Sequence, residues 1–324
     1  MIRVAVIDVG TVTARLAIAD VENHKVQSLT RQSNIVNLGE GVDKSGVLLE
    51  AACQRLLACI DAYMASIAQA HVDAMCCTLT SAARDAKNSA DLLGELAKRG
   101  LVAQVIPGEV EGKLTFLGVA QDFPTSCLLV ADNGGGSTEF ALGRLQNGRT
   151  PNLEFVRSID VGCRRVTEKF LLQTDPPTAE AVAAAHEFAA QEFSRVFQGR
   201  AAGNRPDRLV VTGGTSTTIV ALSKALVPYD SAQVHLATLS REDIDAQEAR
   251  LARITLAERV ELPGIQPKRA PVILGGVIAV SEIMRAAGFE ELTVSESDLL
   301  YGLSLTLAAA AQGSPSPVGW APEL

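Results

Sequence analysis

Three consecutive glycines lie between an aspartate and two hydroxyl side chains in the run Asp132-Asn133-Gly134-Gly135-Gly136-Ser137-Thr138-Glu139. A turn without side chains lets neighbouring backbone N–H groups converge on one anion, so this stretch reads as a phosphate clamp. Ser137 and Thr138 add hydroxyl donors, and Asp132 offers a carboxylate to a divalent cation such as magnesium, which takes oxygen ligands. A plain glycine-rich hairpin turn would use similar residues. A second copy argues for the ligand. Residues 6–18 follow the pattern of residues 130–142: Asp8 falls on Asp132, Gly10 on Gly134, Thr13 on Ser137 and Leu16 on Phe140. A strand, an Asp-x-Gly turn with hydroxyls and a second strand, present twice, imply two related half-domains facing one another across a cleft.

Such turns work only if strands and helices hold them. Apolar runs predict strands at 4–7, 14–20 and 26–30, with Asn23-His24 as a turn, then at 75–79 and 102–106. Helical periodicity covers 47–70 through Leu48, Ala52, Leu56, Ile60, Tyr63 and Ile67. Further helices are expected over 82–99, closed by Gly100, and over 110–121. The second half repeats the order. Strands are expected at 127–131, 138–145 and 153–160, helices from Cys163 and over 178–197, and a surface loop at 198–206. A strand at 209–211 then runs into Gly213-Gly214-Thr215 and a helix. One charged amphipathic helix over 241–259, a helix over 272–287, a strand at 292–294 and a helix over 299–310 complete the chain.

This order describes two α/β domains with mixed sheets and an active cleft between them, one over 1–124 and one over 125–299. The final helix, near 300–311, is expected to cross back to the first domain. The tail, 312–324, with Pro315, Pro317 and Pro322, is expected to be disordered or loosely docked.

Composition narrows the partners. The net charge of −8 over 324 residues argues against general nucleic-acid or membrane-surface binding. The six cysteines contain no C-x-x-C pair, and with four scattered histidines no zinc site can be assembled from spacing. Free thiols are expected. The apolar runs at 271–280 and 303–311 are too short to span a bilayer, and no basic-then-apolar leader is visible, so a cytoplasmic location is expected.

Several further motifs, in order, carry a resemblance. They are Asp8-Val9-Gly10, Leu38-Gly39-Glu40-Gly41-Val42-Asp43 and Thr80-Ser81-Ala82-Ala83-Arg84-Asp85-Ala86-Lys87-Asn88. Gly108-Glu109-Val110-Glu111-Gly112-Lys113-Leu114, the clamp at 132–139, Gly213-Gly214-Thr215 and Arg269-Ala270 continue the series. From residue 4 to about residue 305 the chain is similar to the exopolyphosphatase/guanosine pentaphosphate phosphohydrolase family of the actin-like ATPase superfamily. The resemblance implies two ribonuclease-H-like domains, and it implies roles. Glu111 matches the base that activates water, with Asp132 beside it in catalysis. Asp8, Asp132 and Glu139 match positions that hold magnesium or orient water. The resemblance assigns phosphate to Gly10, Thr11 and Thr13, to Gly134, Gly135, Gly136, Ser137 and Thr138, and to Gly213, Gly214 and Thr215. Arg84, Lys113 and Arg269 match basic positions for the polyanion, with Arg15 and Arg165 as weaker candidates.

Each role competes with a plainer one. Glu111 suits the first turn of a helix through the dipole, the aspartates suit turn caps, and any one arginine suits a solvated surface. One departure stands out. The family's first clamp usually reads Asp-x-Gly-Ser-Asn-Ser, and here Val12 replaces the asparagine, removing a side-chain donor. The expected activity is release of terminal phosphate from inorganic polyphosphate with magnesium, by a chain that forms homodimers as its family does. Guanosine pentaphosphate is the alternative substrate. A non-catalytic binder of polyphosphate or alarmone is another class, as is a superfamily kinase, against which the 108–114 segment argues.

Overall fold

The computed structural model describes residues 1–198 and 205–324. The loop expected over 198–206 falls largely on 199–204, outside the described residues. The chain divides into two compact units, one of Met1–Thr125, Leu145–Asn152 and Asp298–Leu324, the other of Ser126–Arg144 and Leu153–Ser297.

The first unit opens on strands β1 (Ile2–Val9), β2 (Thr13–Glu22) and β3 (Lys25–Ile35), joined as antiparallel hairpins. Asn23 and His24 both take positive φ at the second turn, as a tight two-residue connection demands. A short helix α1 (Val42–Ser45) and the long α2 (Glu50–Ala70) follow. Then come β4 (Ala74–Leu79), α3 (Ser81–Asp85), α4 (Ser89–Ala97), β5 (Ala103–Val105) and α5 (Gly108–Val119). The sheet order is β3-β2-β1-β4-β5, with β4 parallel to β1 and β5 parallel to β4. The apolar face of α2 buries Leu56, Ile60 and Tyr63 against it. The Tyr63 hydroxyl donates to the Ala14 carbonyl at 2.8 Å, so even the largest ring of this core keeps its polar tip satisfied.

The second unit carries β6 (Leu128–Asn133), β7 (Thr138–Gln146), β8 (Thr150–Ile159), α6 (Cys163–Val166) and α7 (Ala179–Ser194). It continues with β9 (Arg208–Thr212), α8 (Gly214–Ser223), α9 (Ser231–Val234), β10 (Thr238–Ser240) and α10 (Arg241–Arg253). Helices α11 (Leu256–Val260) and α12 (Ile273–Ala287) and strand β11 (Glu291–Ser295) close it. Helix α13 (Leu299–Ala311) belongs to the first unit. Read from β8, the second sheet runs β8-β7-β6-β9-β11-β10. Its first five strands repeat the first sheet, with β9 parallel to β6 and β11 parallel to β9. The duplication seen in the turns therefore extends to the topology.

Two single helices expected from periodicity are each broken. The 82–99 helix stops at Asp85 and restarts at Ser89. Between them Asn88 spends its side chain on Leu48, accepting from its N–H at 2.8 Å and donating to its carbonyl at 3.1 Å. The 241–259 helix breaks at residues 254–255, where Thr255 and Glu258 form a capping box that starts a new helix. The tail has no regular structure, yet Glu323 exchanges two hydrogen bonds with Gln104 and Pro322 is buried. All six cysteines are free thiols. Among the described residues no helix is long and apolar enough to cross a membrane.

One part-buried charge cluster joins three helices of the second unit. His186 on α7 faces Glu282 of α12 through Nδ1 at 2.6 Å and Glu248 of α10 through Nε2 at 2.7 Å. With a carboxylate on each nitrogen, both must donate, which makes the ring an imidazolium. The Glu248 and Glu282 hydrogen bonds outweigh burial and push His186 up to about 9. Burial raises Glu282, but His186 and Arg285 together hold its carboxyl below the usual range.

A folded-state pKa above the unfolded one gives stability that is complete below about pH 6.5 and lost as pH rises through the folded value of about 9. The difference corresponds to roughly 3 kcal/mol. Urea unfolding of the parent should therefore weaken between about pH 7 and 10, and His186→Ala should be less stable at neutral pH and flatter across that range. A parent curve already flat there would contradict the charged ring.

Candidate active site

The first hairpin turns at Gly10, Thr11 and Val12, and the Gly10 N–H donates to the Thr13 carbonyl at 2.9 Å. Its outer carbonyls are tied down by the segment after β3. Thr11 O accepts from Gly39 N at 2.8 Å, and Val12 O accepts from the N–H groups of Val36 and Asn37 at 3.0 and 2.9 Å. In a trans peptide unit the N–H points opposite the carbonyl, so these tethers aim the amides of Val12 and Thr13 away from that segment. The approach is close: a Cβ on Gly39 would lie 2.3 Å from Thr11 Cγ2.

The second hairpin uses the same device with different residues. Gly134 N donates to Ser137 O at 3.0 Å, matching Gly10 and Thr13. Gly134 O accepts from Cys163 N at 3.0 Å, and Gly135 O from Arg164 N and Arg165 N at 2.9 and 3.2 Å. Gly136 O accepts from Arg165 Nε at 2.8 Å. Three successive carbonyls face the start of α6, so the amides of Gly135, Gly136 and Ser137 point together to the other side. That is the backbone arrangement an anion nest requires. Arg165, a candidate for the polyanion, thus braces the loop.

Around this loop the predicted residues separate. Gly213, at φ +103°, sits so close to the strand end that a Cβ would lie 2.6 Å from Asn133 O and 3.2 Å from Asp132 Oδ1. A Cβ on Gly214 would strike the Arg269 guanidinium at 2.2 Å, so Arg269 lies directly over the start of α8. Asp132, the Gly213-Gly214 turn and Arg269 are therefore gathered in this unit. Thr138 and Thr215 serve packing. The Thr138 hydroxyl donates to Val161 O at 2.5 Å and accepts from Asn133 Nδ2 at 2.9 Å. Thr215 is buried against Gly276 and Cys163. Asn133 therefore acts as a brace for Thr138. Glu139 pairs with Asp132 in cross-strand register and accepts from Ser158 Oγ at 2.7 Å.

In the first unit Asp8, the penultimate residue of β1, is 2% exposed and lies opposite Arg15. Burial raises its pKa, Arg15 lowers it, Asp298 raises it and Arg84 lowers it, with the net direction upward. Its Oδ1 has no partner, and neither do the buried hydroxyls of Thr11 and Ser81. Buried polar atoms left unpaired cost free energy. Thr11 packs with Ala82 around Gly39, so the Asp8 turn and the start of α3 share one neighbourhood.

Glu111 is 8% exposed in the first turn of α5. Arg84 Nη1 reaches its Oε2 at 2.6 Å and the Ile106 carbonyl at 3.0 Å. Lys113 lies two residues on, about 200° around the helix, and pairs with Glu109 at 3.2 Å. The first unit thus brings together Asp8, Thr11, Arg84 and Glu111, and leaves Lys113 on another face of α5. Ser81 was not singled out from sequence; only its strand-to-helix position after β4 could have pointed to it.

The repeated sheet order, with ligand-type turns at the carboxyl ends of β1 and β6, is the ribonuclease-H-like arrangement of actin-like phosphate-handling proteins. The profile of the Ppx/GppA phosphatase family matches residues 17–308. Exopolyphosphatase 2 of Mycobacterium tuberculosis is 35% identical, over 94% of this chain and 98% of its own length. A crystal structure of the Aquifex aeolicus Ppx/GppA family member superposes with a TM-score of 0.78 at 31% identity, covering 96% of this chain and 98% of that one. An exopolyphosphatase-like protein of known structure gives a TM-score of 0.86 at 32% identity, covering 94% and 97%. The chain belongs to the Ppx/GppA phosphatase family. It is a hydrolase that acts on phosphoanhydride bonds.

The nest makes a steric demand on Gly162. Its backbone, at φ −143° and ψ 165°, would accept any residue, but a Cβ would lie 2.4 to 2.6 Å from backbone atoms of Gly135 and Gly136. Gly162→Ala should cost about 1–3 kcal/mol and displace the loop. Melting and phosphate release measured together should both fall; parental values for both would mean that the loop is not seated as described.

Proposed function

We propose that the chain is an exopolyphosphatase, removing the terminal phosphate from inorganic polyphosphate with Glu111 as the base that activates water. The observation that carries this reading is the Arg84–Glu111 pair, in the same unit as the unpartnered Asp8, Thr11 and Ser81 oxygens. Phosphoryl transfer to water needs an oriented nucleophile and neutralised oxygens more than covalent help from the protein. Glu111 takes the water's proton as the oxygen attacks the terminal phosphorus. The bridging P–O bond breaks, and orthophosphate leaves a chain one unit shorter. Arg84 holds the Glu111 carboxylate in place and offers its fork of donors to the reacting phosphate. The two amide nests hold phosphate oxygens with backbone alone, which explains how the first turn tolerates Val12. Its side chain is buried at 4% exposure, and the asparagine donor it lacks is not part of the nest.

The residues fit a magnesium ion. Among the described residues no group of three or more His, Cys, Asp or Glu side chains is placed to hold a metal. Magnesium, however, commonly binds through one or two carboxylates together with substrate phosphates. Asp8, whose Oδ1 is unpartnered, and the cross-strand pair Asp132 and Glu139 supply such hard oxygen donors. Bound in either unit, by Asp8 or by the Asp132–Glu139 pair, the ion would neutralise charge on the transferring phosphoryl group. The relative named exopolyphosphatase 2, matched over nearly its full length, supports inorganic polyphosphate as substrate.

Phosphate release should be followed on polyphosphates of several lengths and on guanosine pentaphosphate, with and without magnesium. Turnover of polyphosphate is expected, and turnover of guanosine pentaphosphate alone would move the assignment to that substrate. Glu111→Gln should lower kcat about 10²–10⁴-fold while polyphosphate binding survives. A Glu111→Gln enzyme with parental kcat would remove Glu111 from the role of base.

A further inference from the structure

Arg55, in the second turn of α2, holds the segment that ties down the first hairpin turn. Its Nε donates to the Val36 carbonyl at 2.9 Å. Its Nη2 donates to the Asn37 carbonyl at 3.3 Å and to Glu40 Oε2 at 2.8 Å. The same two residues face the turn with their other backbone groups, since the N–H groups of Val36 and Asn37 both donate to Val12 O. The Val36 carbonyl and the Asn37 N–H are opposite ends of one peptide unit. That unit is gripped by Arg55 on one side and grips Val12 O on the other. Val12 O belongs in turn to the peptide unit whose N–H is the Thr13 amide. Two peptide units in series therefore connect the guanidinium to an amide of the turn. The buried side chains of Val36 and Leu38 anchor the segment in the core, and the plane between Val36 and Asn37 is left to its hydrogen bonds. Asn37, at φ +51°, bends the chain at this point, and Glu40 N closes the bend on Asn37 O at 3.2 Å.

We propose that Arg55 is a positioning residue of the phosphate-binding machinery, which sets the direction of the Thr13 amide by fixing the Val36–Asn37 peptide unit. This rests on the reading of the first turn as a phosphate-binding loop. Two observations favour positioning over a surface ion pair with Glu40. The two side chains are 43% and 51% exposed, and an ion pair that open to water adds little stability, whereas the remaining bonds of Arg55 fall on the carbonyls of the two residues that hold Val12. The second unit also places a guanidinium behind its turn, where Arg165 Nε donates to Gly136 O. In the first unit the carbonyls of Thr11 and Val12 are taken by backbone N–H groups, so the arginine acts one peptide unit further back. A lysine would not replace Arg55, because one ammonium lacks the planar fork whose Nε and Nη2 reach separate acceptors.

Arg55→Ala, Arg55→Lys and Glu40→Gln are to be compared with the parent. Nitrogen-15 spectra of the ligand-free proteins report the turn itself. In both Arg55 variants the Thr13 amide should move, while the amides of Gly135, Gly136 and Ser137 stay at their parental positions. On polyphosphate the KM of both should rise about three- to tenfold with kcat within about threefold, as the weakening of one hydrogen bond to bound substrate predicts. Glu40→Gln removes the ion pair and keeps both carbonyl bonds, so its Thr13 amide and its kinetics should match the parent. A Thr13 amide unmoved in both Arg55 variants, a parental KM in both, or a Glu40→Gln variant as impaired as Arg55→Ala would each overturn the proposal. Arg55→Lys keeps the charge and the aliphatic stem and decides the matter if Arg55→Ala does not fold; an Arg55→Lys chain that does not fold would make Arg55 a residue of the scaffold and overturn it as well. A parent that turns over neither polyphosphate nor guanosine pentaphosphate would count against the functional assignment, and the Thr13 shift would still decide whether Arg55 sets the turn.

Discussion

The site depends on where a few backbone carbonyls are spent. A glycine-rich turn binds an anion only if its amides point the same way, and a peptide plane fixes each amide by the carbonyl at its other end. In the second unit Cys163, Arg164 and Arg165 hold the carbonyls of Gly134, Gly135 and Gly136. In the first unit Val36, Asn37 and Gly39 hold those of Thr11 and Val12. Each tether uses the turn's carbonyls and leaves its amides on the opposite side. The glycines at 39, 162 and 213 permit the close approach each tether requires, since a Cβ at any of them would overlap a loop atom or an adjoining strand end.

The two hairpins share a frame and differ in their charge. The position across the ladder from the strand-end aspartate is Arg15 in one and Glu139 in the other. The first hairpin thus carries a held carboxylate with one oxygen presented, while the second carries two acids side by side, 8% and 2% exposed. Two buried carboxylates in register suit a cation nearby, whereas an aspartate gripped by arginine suits a fixed geometry. The two hairpins share a scaffold and differ at this one cross-strand position.

Much of this was legible in the chain itself. The constant offset between residues 6–18 and 130–142 foretold the paired hairpins, and the alternation of apolar runs foretold two mixed sheets. What periodicity missed was set by tertiary contacts. The break at residues 86–88 exists because Asn88 bonds Leu48, forty residues away, which no local pattern encodes. The break before α11 was visible as Thr255-x-x-Glu258, a capping box obscured by the helical spacing of charged and apolar residues on either side. The arginines show the same limit. Arg15, Arg84, Arg165 and Arg269 are alike on paper, yet one clamps Asp8, one pairs with Glu111, one ties down Gly136 and one covers Gly214. Residue type gives the capacity to bind phosphate, and only the neighbours decide whether that capacity is already used.

The central claim is that the amides of the two turns are aimed at one kind of ligand. The most direct measurement is a nitrogen-15 NMR titration of the isotopically labelled chain with a non-hydrolysable methylene-bridged triphosphate. The account predicts saturable shifts that are largest at the backbone amides of Val12, Thr13, Gly135, Gly136 and Ser137. Saturation with those five amides unmoved, and the shifts centred elsewhere, would contradict it.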